Sequence, residues 1–133
     1  MIIGIGTDLV QVNRIETTLK KFGSSFEEKV FTPFERERAQ TLSPLKRASF
    51  FAKRFAAKEA FSKALGSGIG QEAFFQDIEV QNDSKGAPFF VIKGKALQTL
   101  QQKTTGKSYQ IHLSLSDEKE FAICFVVIEI TEA

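Results

Sequence analysis

The order of apolar and polar positions divides the chain into short strands and helices. Ile and Gly alternate over residues 2–6 and lead into Thr7-Asp8, which predicts a short buried strand with a carboxylate at its end. A helix is expected next, because four apolar residues recur at helical spacing before Gly23, a typical C-cap: Val12, Ile15, Leu19 and Phe22. The start of the chain is therefore predicted to place Asp8 between a strand and a helix.

Two start signals predict the next helices. Thr32-Pro33-Phe34-Glu35 puts a hydroxyl at the N-cap, Pro at the first helical position and Glu at the third, which predicts a capped helix to about Thr41. Ser43-Pro44 repeats the signal for a longer helix that ends near Leu65. Apolar residues surround nearly the whole circumference of this longer helix, so we expect it to be packed on several sides.

The rest of the chain is predicted to form two hairpins with a helix between them. The segments are residues 77–82 with 89–92, then 94–104, then 109–116 with 121–131. Both alternating sets of side chains in the last strand are apolar, so one set is expected to face the helices and the other a partner chain or further helices. The whole pattern predicts an α+β fold in a single domain of residues 1–133, with antiparallel strands packed on the long central helix.

Length and composition are those of one globular domain. The chain has 133 residues, of which 42% are hydrophobic and 26% charged. Its formal net charge of +2 is too small to indicate bulk nucleic-acid binding. The longest apolar run, 121–128, is too short to span a membrane, and the N-terminus lacks a basic leader, so a cytoplasmic location is expected. One cysteine and one histidine exclude thiolate zinc sites, and Cys124 is expected to be a buried structural thiol.

Two carboxylates and a run of basic residues carry the candidate chemistry. Asp8 at the end of a strand suits either ligand binding or capping of the following helix. In the long helix, Glu59 is the only acid among six basic residues, a local net charge of +5: Lys46, Arg47, Lys53, Arg54, Lys58 and Lys63. Because an all-round apolar helix has little free solvent face, this excess favours a polyanionic ligand, such as a phosphorylated cofactor, over a solvated surface.

The glycine-rich segment after this helix and the two carboxylates suggest how such a ligand is held. Gly66-Ser67-Gly68-Ile69-Gly70 is typical either of an anion-binding turn or of a plain helix stop, and it lacks the pattern of a Walker loop. Asp8 and Glu59 lie on separate elements beside a lysine. Two oxygen ligands completed by waters and phosphates suit Mg²⁺ better than zinc.

Four motifs, taken together, resemble those of one enzyme family. They are Gly4–Val10 with Arg14; Phe31-Thr32 with Glu35; Phe55–Gly66; and Asn82-Asp83 with Gly86 and Pro88. In this order they span essentially the whole chain. The sequence resembles the holo-[acyl-carrier-protein] synthases, the short phosphopantetheinyl transferases of bacterial fatty-acid synthesis, and the resemblance implies a phosphopantetheinyl transferase-like fold.

The resemblance implies an activity and a set of site residues. The activity is transfer of phosphopantetheine from coenzyme A to a serine of apo acyl carrier protein, releasing adenosine 3′,5′-bisphosphate. Asp8 and Glu59 would hold Mg²⁺, Lys63 would lie beside the diphosphate, and Arg14 would meet acidic residues of the carrier protein. Gly66 would contribute to coenzyme A binding.

The same resemblance implies a homotrimer with coenzyme A bound between neighbouring subunits. Asn82 and Pro88 would then come from the neighbour. Charge for the adenosine 3′-phosphate is offered by four basic residues, and the sequence does not choose among them: Lys46, Arg47, Arg54 and Lys58. Where the family often has a histidine after a Ser-x-Ser segment, this chain has Asp117, so no imidazole is expected at the phosphates. The histidine at position 112 is expected to be structural.

The sequence leaves two questions open. The proton of the attacking serine could pass to Glu59 directly, to Glu59 through a water molecule, or to Asp8. Two rival classes, a binding-only module and a purely structural trimer, would use the basic helix or the Phe-rich strands without turnover. Neither rival requires Asp8 and Glu59 near one metal ion, so magnesium-dependent consumption of coenzyme A distinguishes the transferase from both.

Overall fold

The computed structural model describes residues 1–132, which form five helices, five strands and a 3₁₀ turn. The helices are α1 (Val12–Phe22), α2 (Ser24–Val30), α3 (Pro33–Gln40), α4 (Pro44–Leu65) and α5 (Gly94–Lys103). The strands are β1 (Ile2–Gln11), β2 (Ile78–Asn82), β3 (Pro88–Ile92), β4 (Tyr109–Asp117) and β5 (Phe121–Ile130). The 3₁₀ turn, Phe75–Asp77, leads into β2. The predicted α+β fold is confirmed.

The strands form two antiparallel sheets. The larger has the order β1-β5-β4, and the smaller is the β2-β3 hairpin, so both predicted hairpins are confirmed. The strand β1 is longer than predicted, because it pairs with β5 as far as Gln11, opposite Phe121. Asp8 therefore lies within the strand, opposite Cys124, and not at its end. Gln11 is the N-cap of α1, so Asp8 does not cap that helix.

The long helix α4 is the centre of the fold, as its all-round apolar pattern predicted. It packs on β1 and β5 of the larger sheet, on β2, and on α1, α3 and α5. The face towards the sheet carries alanines that are fully buried, among them Ala56, Ala57 and Ala60. Within residues 1–132 the buried apolar side chains form one connected core around this helix. None of the helices in this part of the chain is long and apolar enough to cross a membrane, and the cytoplasmic location stays a prediction.

The local signals for the helices are confirmed, with one helix missed. Thr32 accepts a hydrogen bond from the Glu35 N–H, and the Glu35 carboxylate accepts one from the Thr32 N–H, so the capping box is complete. The helix α4 ends at Gly66, which has a φ of 83°. The short helix α2 was not predicted, because it has no side-chain cap and is only seven residues long.

The two faces of the larger sheet differ in exposure. On β5 the even-numbered residues Ala122, Cys124, Val126 and Ile128 are fully buried against α4. The odd-numbered Phe121, Ile123 and Phe125 are 37%, 42% and 47% exposed, beside Ile5 and Leu9 of β1 at about 60%. One apolar face is thus covered by the chain's own helix, and the other, the outer sheet face, is not.

Cys124 and His112 lie on opposite faces of this sheet. Burial, with a smaller effect from the nearby Asp8 carboxylate, raises the pKa of the Cys124 thiol to about 12, so the thiol stays protonated and unreactive at neutral pH. This confirms the predicted structural cysteine. His112 is exposed on the outer sheet face, where its Nε2 lies 2.8 Å from Oε1 of Glu129.

Candidate active site

Two glycines allow β1 to approach α4 closely enough to bring Asp8 to the helix. A Cβ atom at Gly6 would lie 2.0 Å from the carbonyl oxygen of Ala60, and one at Gly4 would lie 1.9 Å from that of Ala64. Any side chain at either position would therefore push the strand away from the helix. The alternation of Ile with Gly in the sequence is explained by this contact, which places Asp8 beside the turn of α4 that carries Glu59 and Lys63.

Asp8 and Glu59 line one cavity of about 420 Å³, here called the acidic cavity. Its walls include Arg14 of α1 and the apolar side chains of Phe26 and Phe55. The Lys63 ammonium lies at its edge and donates hydrogen bonds to the Thr7 carbonyl, at 3.0 Å, and to Oδ1 of Asp8, at 3.1 Å. Lys63 of the helix is thus paired with the carboxylate of the strand residue Asp8.

The carboxylate of Asp8 disfavours the negative charge of Glu59. Burial raises the pKa of the Glu59 carboxyl, the negative charge of Asp8 raises it further, and Lys63 acts in the opposite direction. A cation placed between the two carboxylates would relieve this repulsion, and carboxylate oxygens are the ligands that Mg²⁺ prefers. Within residues 1–132 no third His, Cys, Asp or Glu completes a metal cluster. The residues present therefore fit a magnesium ion whose remaining ligands are waters and substrate oxygens.

A second cavity, of about 370 Å³, lies on another face of α4 and is here called the basic cavity. Its charged and polar lining is formed mainly by Arg38, Lys46, Lys53, Arg54, Asn82 and Asp117. Four cations against one carboxylate make it electropositive and suited to a phosphate. Asp117 is engaged within the lining, because it accepts a hydrogen bond from Ser49 at 3.1 Å and lies 3.7 Å from the Lys53 ammonium.

Arg54 is the most buried cation of the basic cavity, with 6% of its surface exposed. Its guanidinium donates to Oδ1 of Asn82 and lies 4.2 Å from the ring centroid of Phe50, and its Nε has no hydrogen-bond partner among residues 1–132. Burial lowers the pKa of Arg54 to about 10, with a smaller and opposite effect from Glu35, so the group stays charged at neutral pH. A buried arginine without a carboxylate in contact is prepared for an incoming anion.

Two of the four basic residues offered for the 3′-phosphate lie elsewhere, which corrects the sequence interpretation. Lys58 is fully buried and forms an ion pair with Glu35 at 2.8 Å, so it does not reach either cavity. Arg47 donates from Nε and Nη2 to the carbonyls of Ala39 and Leu42, and it therefore ties α4 to the end of α3. Lys46 and Arg54 remain in the basic cavity.

The other predicted residues are spread over three places. Arg14 is exposed at the wall of the acidic cavity. Asn82 and Pro88 are paired at the end of the β2-β3 hairpin, and Asn82 lines the basic cavity. The N–H groups of Gly66, Ser67 and Gly68 donate to carbonyls of the last turn of α4, which favours the helix stop over the anion-binding turn. A role for Gly66 in coenzyme A binding stays a prediction.

The comparison with known proteins decides the family. The sequence model of the 4′-phosphopantetheinyl transferase superfamily matches residues 4–126. The chain belongs to this superfamily. The holo-[acyl-carrier-protein] synthase of Zymomonas mobilis is 52% identical over 97% of each chain. The resemblance drawn from the sequence motifs is therefore confirmed.

Solved structures show the same fold for this transferase. The holo-(acyl-carrier-protein) synthase of Bacillus anthracis, described in complex with CoA (3′,5′-ADP), is 43% identical with a TM-score of 0.82, over 98% of this chain and 99% of its own. The enzyme from Neisseria meningitidis is 40% identical with a TM-score of 0.87, over 97% and 99%. The fold predicted from the motifs is thereby confirmed.

Three residues of the transferase's basic cavity were not identified from the sequence. Arg38 and Asp117 join Arg54 only through the packing of α3 and β4 against α4, whereas Lys53 precedes Arg54 on α4 itself. Lys53 belongs to the basic run of the long helix, so the sequence did indicate that it could contact an anionic ligand. Asp117 was noted only as the residue that stands where the family often has a histidine, and Arg38 on a short exposed helix gave no signal.

Proposed function

We propose that Asp8, Glu59 and Lys63 form the centre at which this chain transfers 4′-phosphopantetheine from coenzyme A to a serine of apo acyl carrier protein. The observation that carries the proposal is the acidic cavity, where carboxylates from β1 and α4 face each other beside an ammonium group. A binding module would have no need to hold two like charges together at this cost in free energy. A centre that binds a divalent cation beside a phosphate does need two carboxylates close together.

Asp8 and Glu59 would hold a magnesium ion, which when bound supplies charge neutralisation at the diphosphate oxygens. Lys63 is half exposed and bonded to Asp8, so it needs only to swing from that carboxylate to contact a phosphate. The serine oxygen attacks the phosphate that carries pantetheine, and the bond to adenosine 3′,5′-bisphosphate breaks. The serine proton passes to Glu59 in this proposal, because Glu59 is the carboxylate of the pair that Lys63 does not hold.

The basic cavity would hold the adenosine 3′-phosphate of coenzyme A, with Arg54 as its main contact. Arg54 and Glu59 are five residues apart on α4, which places them roughly 140° apart around the helix axis. A single coenzyme A is thus not expected to reach both cavities of one chain. We propose that the acidic cavity of one subunit and the basic cavity of its neighbour together bind one molecule.

This arrangement requires an oligomer, and we propose a homotrimer built on the outer sheet face. Five large apolar side chains from β1 and β5 are exposed there: Ile5, Leu9, Phe121, Ile123 and Phe125. Such a contiguous apolar strip on a single small domain is typical of a protein interface. Phe125→Asp should give a smaller particle by light scattering, together with loss of coenzyme A binding. A charge at the neighbouring Val126 would instead test the stability of the fold, because that side chain faces the core.

Docking of the carrier protein is proposed on α1. Arg14 is exposed on this helix at the wall of the acidic cavity, with Lys20 and Lys21 in its last turn. A basic surface beside the reacting groups suits an acidic protein that must present a serine to them.

The deciding experiment is mass spectrometry of an apo carrier protein incubated with this chain and coenzyme A, with and without Mg²⁺. We expect the carrier to gain the mass of one phosphopantetheine only when the metal ion is present, with adenosine 3′,5′-bisphosphate released in equal amount. Binding of coenzyme A without any gain in mass would favour the binding-only module and contradict the proposal. Transfer at the same rate in the presence of excess metal chelator would contradict the role of magnesium but not the transfer itself.

A further inference from the structure

An ion pair among residues 1–132 that is fully buried, Lys58 with Glu35, lines neither of the two cavities. Lys58 and Glu35 both have side chains with no exposed surface, and their charged atoms are 2.8 Å apart. The Lys58 ammonium also donates to the carbonyls of Phe75 and Ile78. Its three N–H donors thus have three acceptors, and none is left for a ligand.

The carboxylate of Glu35 is also fully occupied by hydrogen bonds within the protein. Besides Lys58, its carboxylate accepts hydrogen bonds from the backbone N–H groups of Thr32, at 2.9 Å, and Val80, at 2.8 Å. The Thr32 hydroxyl continues the cluster to Glu79 at 2.6 Å. The pair therefore joins the N-terminus of α3, the middle of α4, the 3₁₀ turn and the start of β2.

Stability alone does not explain this pair. Removing two charges from water is costly, and replacing a buried ion pair by apolar residues of similar volume is often neutral or even stabilising. What a saturated buried pair supplies is a fixed geometry, since any shift of one element leaves a charge or a carbonyl without its partner.

The geometry that the pair fixes is that of the basic cavity. Strand β2 is joined to α4 at two points: Lys58 holds the carbonyl of Ile78 at the start of the strand, and Arg54, one helical turn earlier, holds the side chain of Asn82 at its end. The second point lies in the basic cavity and the first is buried behind it. Asn82 is itself exposed, so its position depends on how the strand is anchored.

We propose that the Lys58–Glu35 pair is a positioning device for coenzyme A, which fixes β2 against α4 so that Asn82 and Arg54 form one edge of the basic cavity. The inference rests on the proposed function of that cavity. It assigns Lys58 and Glu35 no contact with either substrate.

The test compares two substitutions of Lys58 with a core substitution on the other side of α4. Lys58→Met removes all three donated hydrogen bonds, and the milder Lys58→Gln keeps an amide donor for one carbonyl. Ile128→Ala, in the fully buried face of β5, is the control for loss of stability without a change at β2. The thermal midpoint of each variant is measured first, and all kinetics are recorded at a temperature where the variant is folded by circular dichroism.

We expect Lys58→Met to raise the KM for coenzyme A roughly tenfold or more, because misplacing a binding group by about an ångström can cost up to about a hundredfold. Lys58→Gln should show a smaller rise in the same direction. The KM for the carrier protein should stay within about twofold of wild type, and Ile128→Ala should change neither constant at a similar loss of thermal midpoint. Binding of adenosine 3′,5′-bisphosphate, followed by calorimetry, should weaken in parallel with the KM for coenzyme A.

Three results would overturn the inference. They are wild-type constants in folded Lys58→Gln, an equal rise in both Michaelis constants, and a rise in Ile128→Ala that matches that of the Lys58 variants. If Lys58→Met does not fold, Lys58→Gln decides. Failure of the wild-type chain to consume coenzyme A would instead contradict the proposed function, so the two failures are distinct.

Discussion

The acidic and basic cavities use charge in opposite ways, although both are built on α4. The carboxylates of Asp8 and Glu59 are half-buried, and Asp8 is paired with the half-exposed ammonium of Lys63. Arg54 is buried, tied to Asn82 and fixed over an aromatic ring. The acidic cavity therefore keeps groups that can exchange partners and protons, and the basic cavity holds one charge in a fixed place. The acidic cavity therefore suits a reaction that transfers protons, and the basic cavity suits the binding of a phosphate.

Removing the charge of Glu59 should have the largest effect. Glu59→Gln is expected to lower kcat by roughly 10²–10⁴-fold, the usual range for a lost acid-base group, while coenzyme A binding is kept. Gln is as good a helix former as Glu, so the fold should remain. Mass spectrometry of the carrier protein and calorimetry with coenzyme A measure the two effects.

Glu72→Gln, which alters an exposed carboxylate outside both cavities, is the matched control and should react at the wild-type rate. Transfer by Glu59→Gln near the wild-type rate at saturating Mg²⁺ would show that the two cavities do not differ as described.

Removing the charge of Arg54 should act on binding. Arg54→Met is expected to raise the KM for coenzyme A by roughly 10- to 100-fold, because a hydrogen bond to a charged group contributes about 1.5–3 kcal/mol. Its effect on kcat should be small. Coenzyme A without the 3′-phosphate should bind wild type and variant equally, which identifies the phosphate that Arg54 contacts. A variant that discriminates the two substrates as well as wild type does would refute this assignment.

Charge reversal at Arg14 should affect only the protein substrate. Arg14→Glu is expected to raise the KM for the acidic carrier protein about tenfold and to leave that for coenzyme A nearly unchanged, since steering acts on the oppositely charged partner. Lys95→Glu makes the same change in net charge on the exposed face of α5 and serves as the control. Steady-state kinetics at two ionic strengths measure the effect. Equal changes in both Michaelis constants would place the docking surface elsewhere.

Mixing two defective variants tests whether the cavities of neighbouring subunits cooperate. When equal amounts of Glu59→Gln and Arg54→Met chains are unfolded together and refolded as one trimer population, about one quarter of the sites should combine two intact halves. Activity at low coenzyme A should recover to about that fraction. If both cavities of one chain served one coenzyme A, mixing would restore nothing.

The smallest effect is expected from pH. The folded chain without metal raises the pKa of Glu59 above its ordinary value of 4.5, so folding favours the protonated form. The metal-free chain should therefore lose this part of its stability as pH rises from that ordinary value through the raised one. Affinity for Mg²⁺, followed by calorimetry, should increase over the same interval. Glu59→Gln should remove this pH dependence from the thermal midpoint. If the thermal midpoint of that variant varies with pH as in wild type, the raised pKa of Glu59 is contradicted.

The sequence by itself determined most of the helices and strands and named the candidate reacting groups. The capping box at Thr32, the glycine after Leu65 and the alternation in β5 depend on neighbours close in the chain, so local physics was enough to place them. The motifs around Asp8 and Glu59 likewise named the two carboxylates that the structure brings to one cavity. The short helix α2 was not predicted, because it has no side-chain cap and is only seven residues long.

Only the tertiary structure decided what each charge on α4 does. A helix that is apolar all round gives no amphipathic signal, so the sequence could not show that Lys58 is turned into the core, Arg47 towards α3 and Arg54 towards β2. These directions depend on which distant element supplies the partner, Glu35 for Lys58 and Asn82 for Arg54. The length of β1, and hence the place of Asp8 within the strand, was fixed in the same way by pairing with β5, more than a hundred residues along the chain.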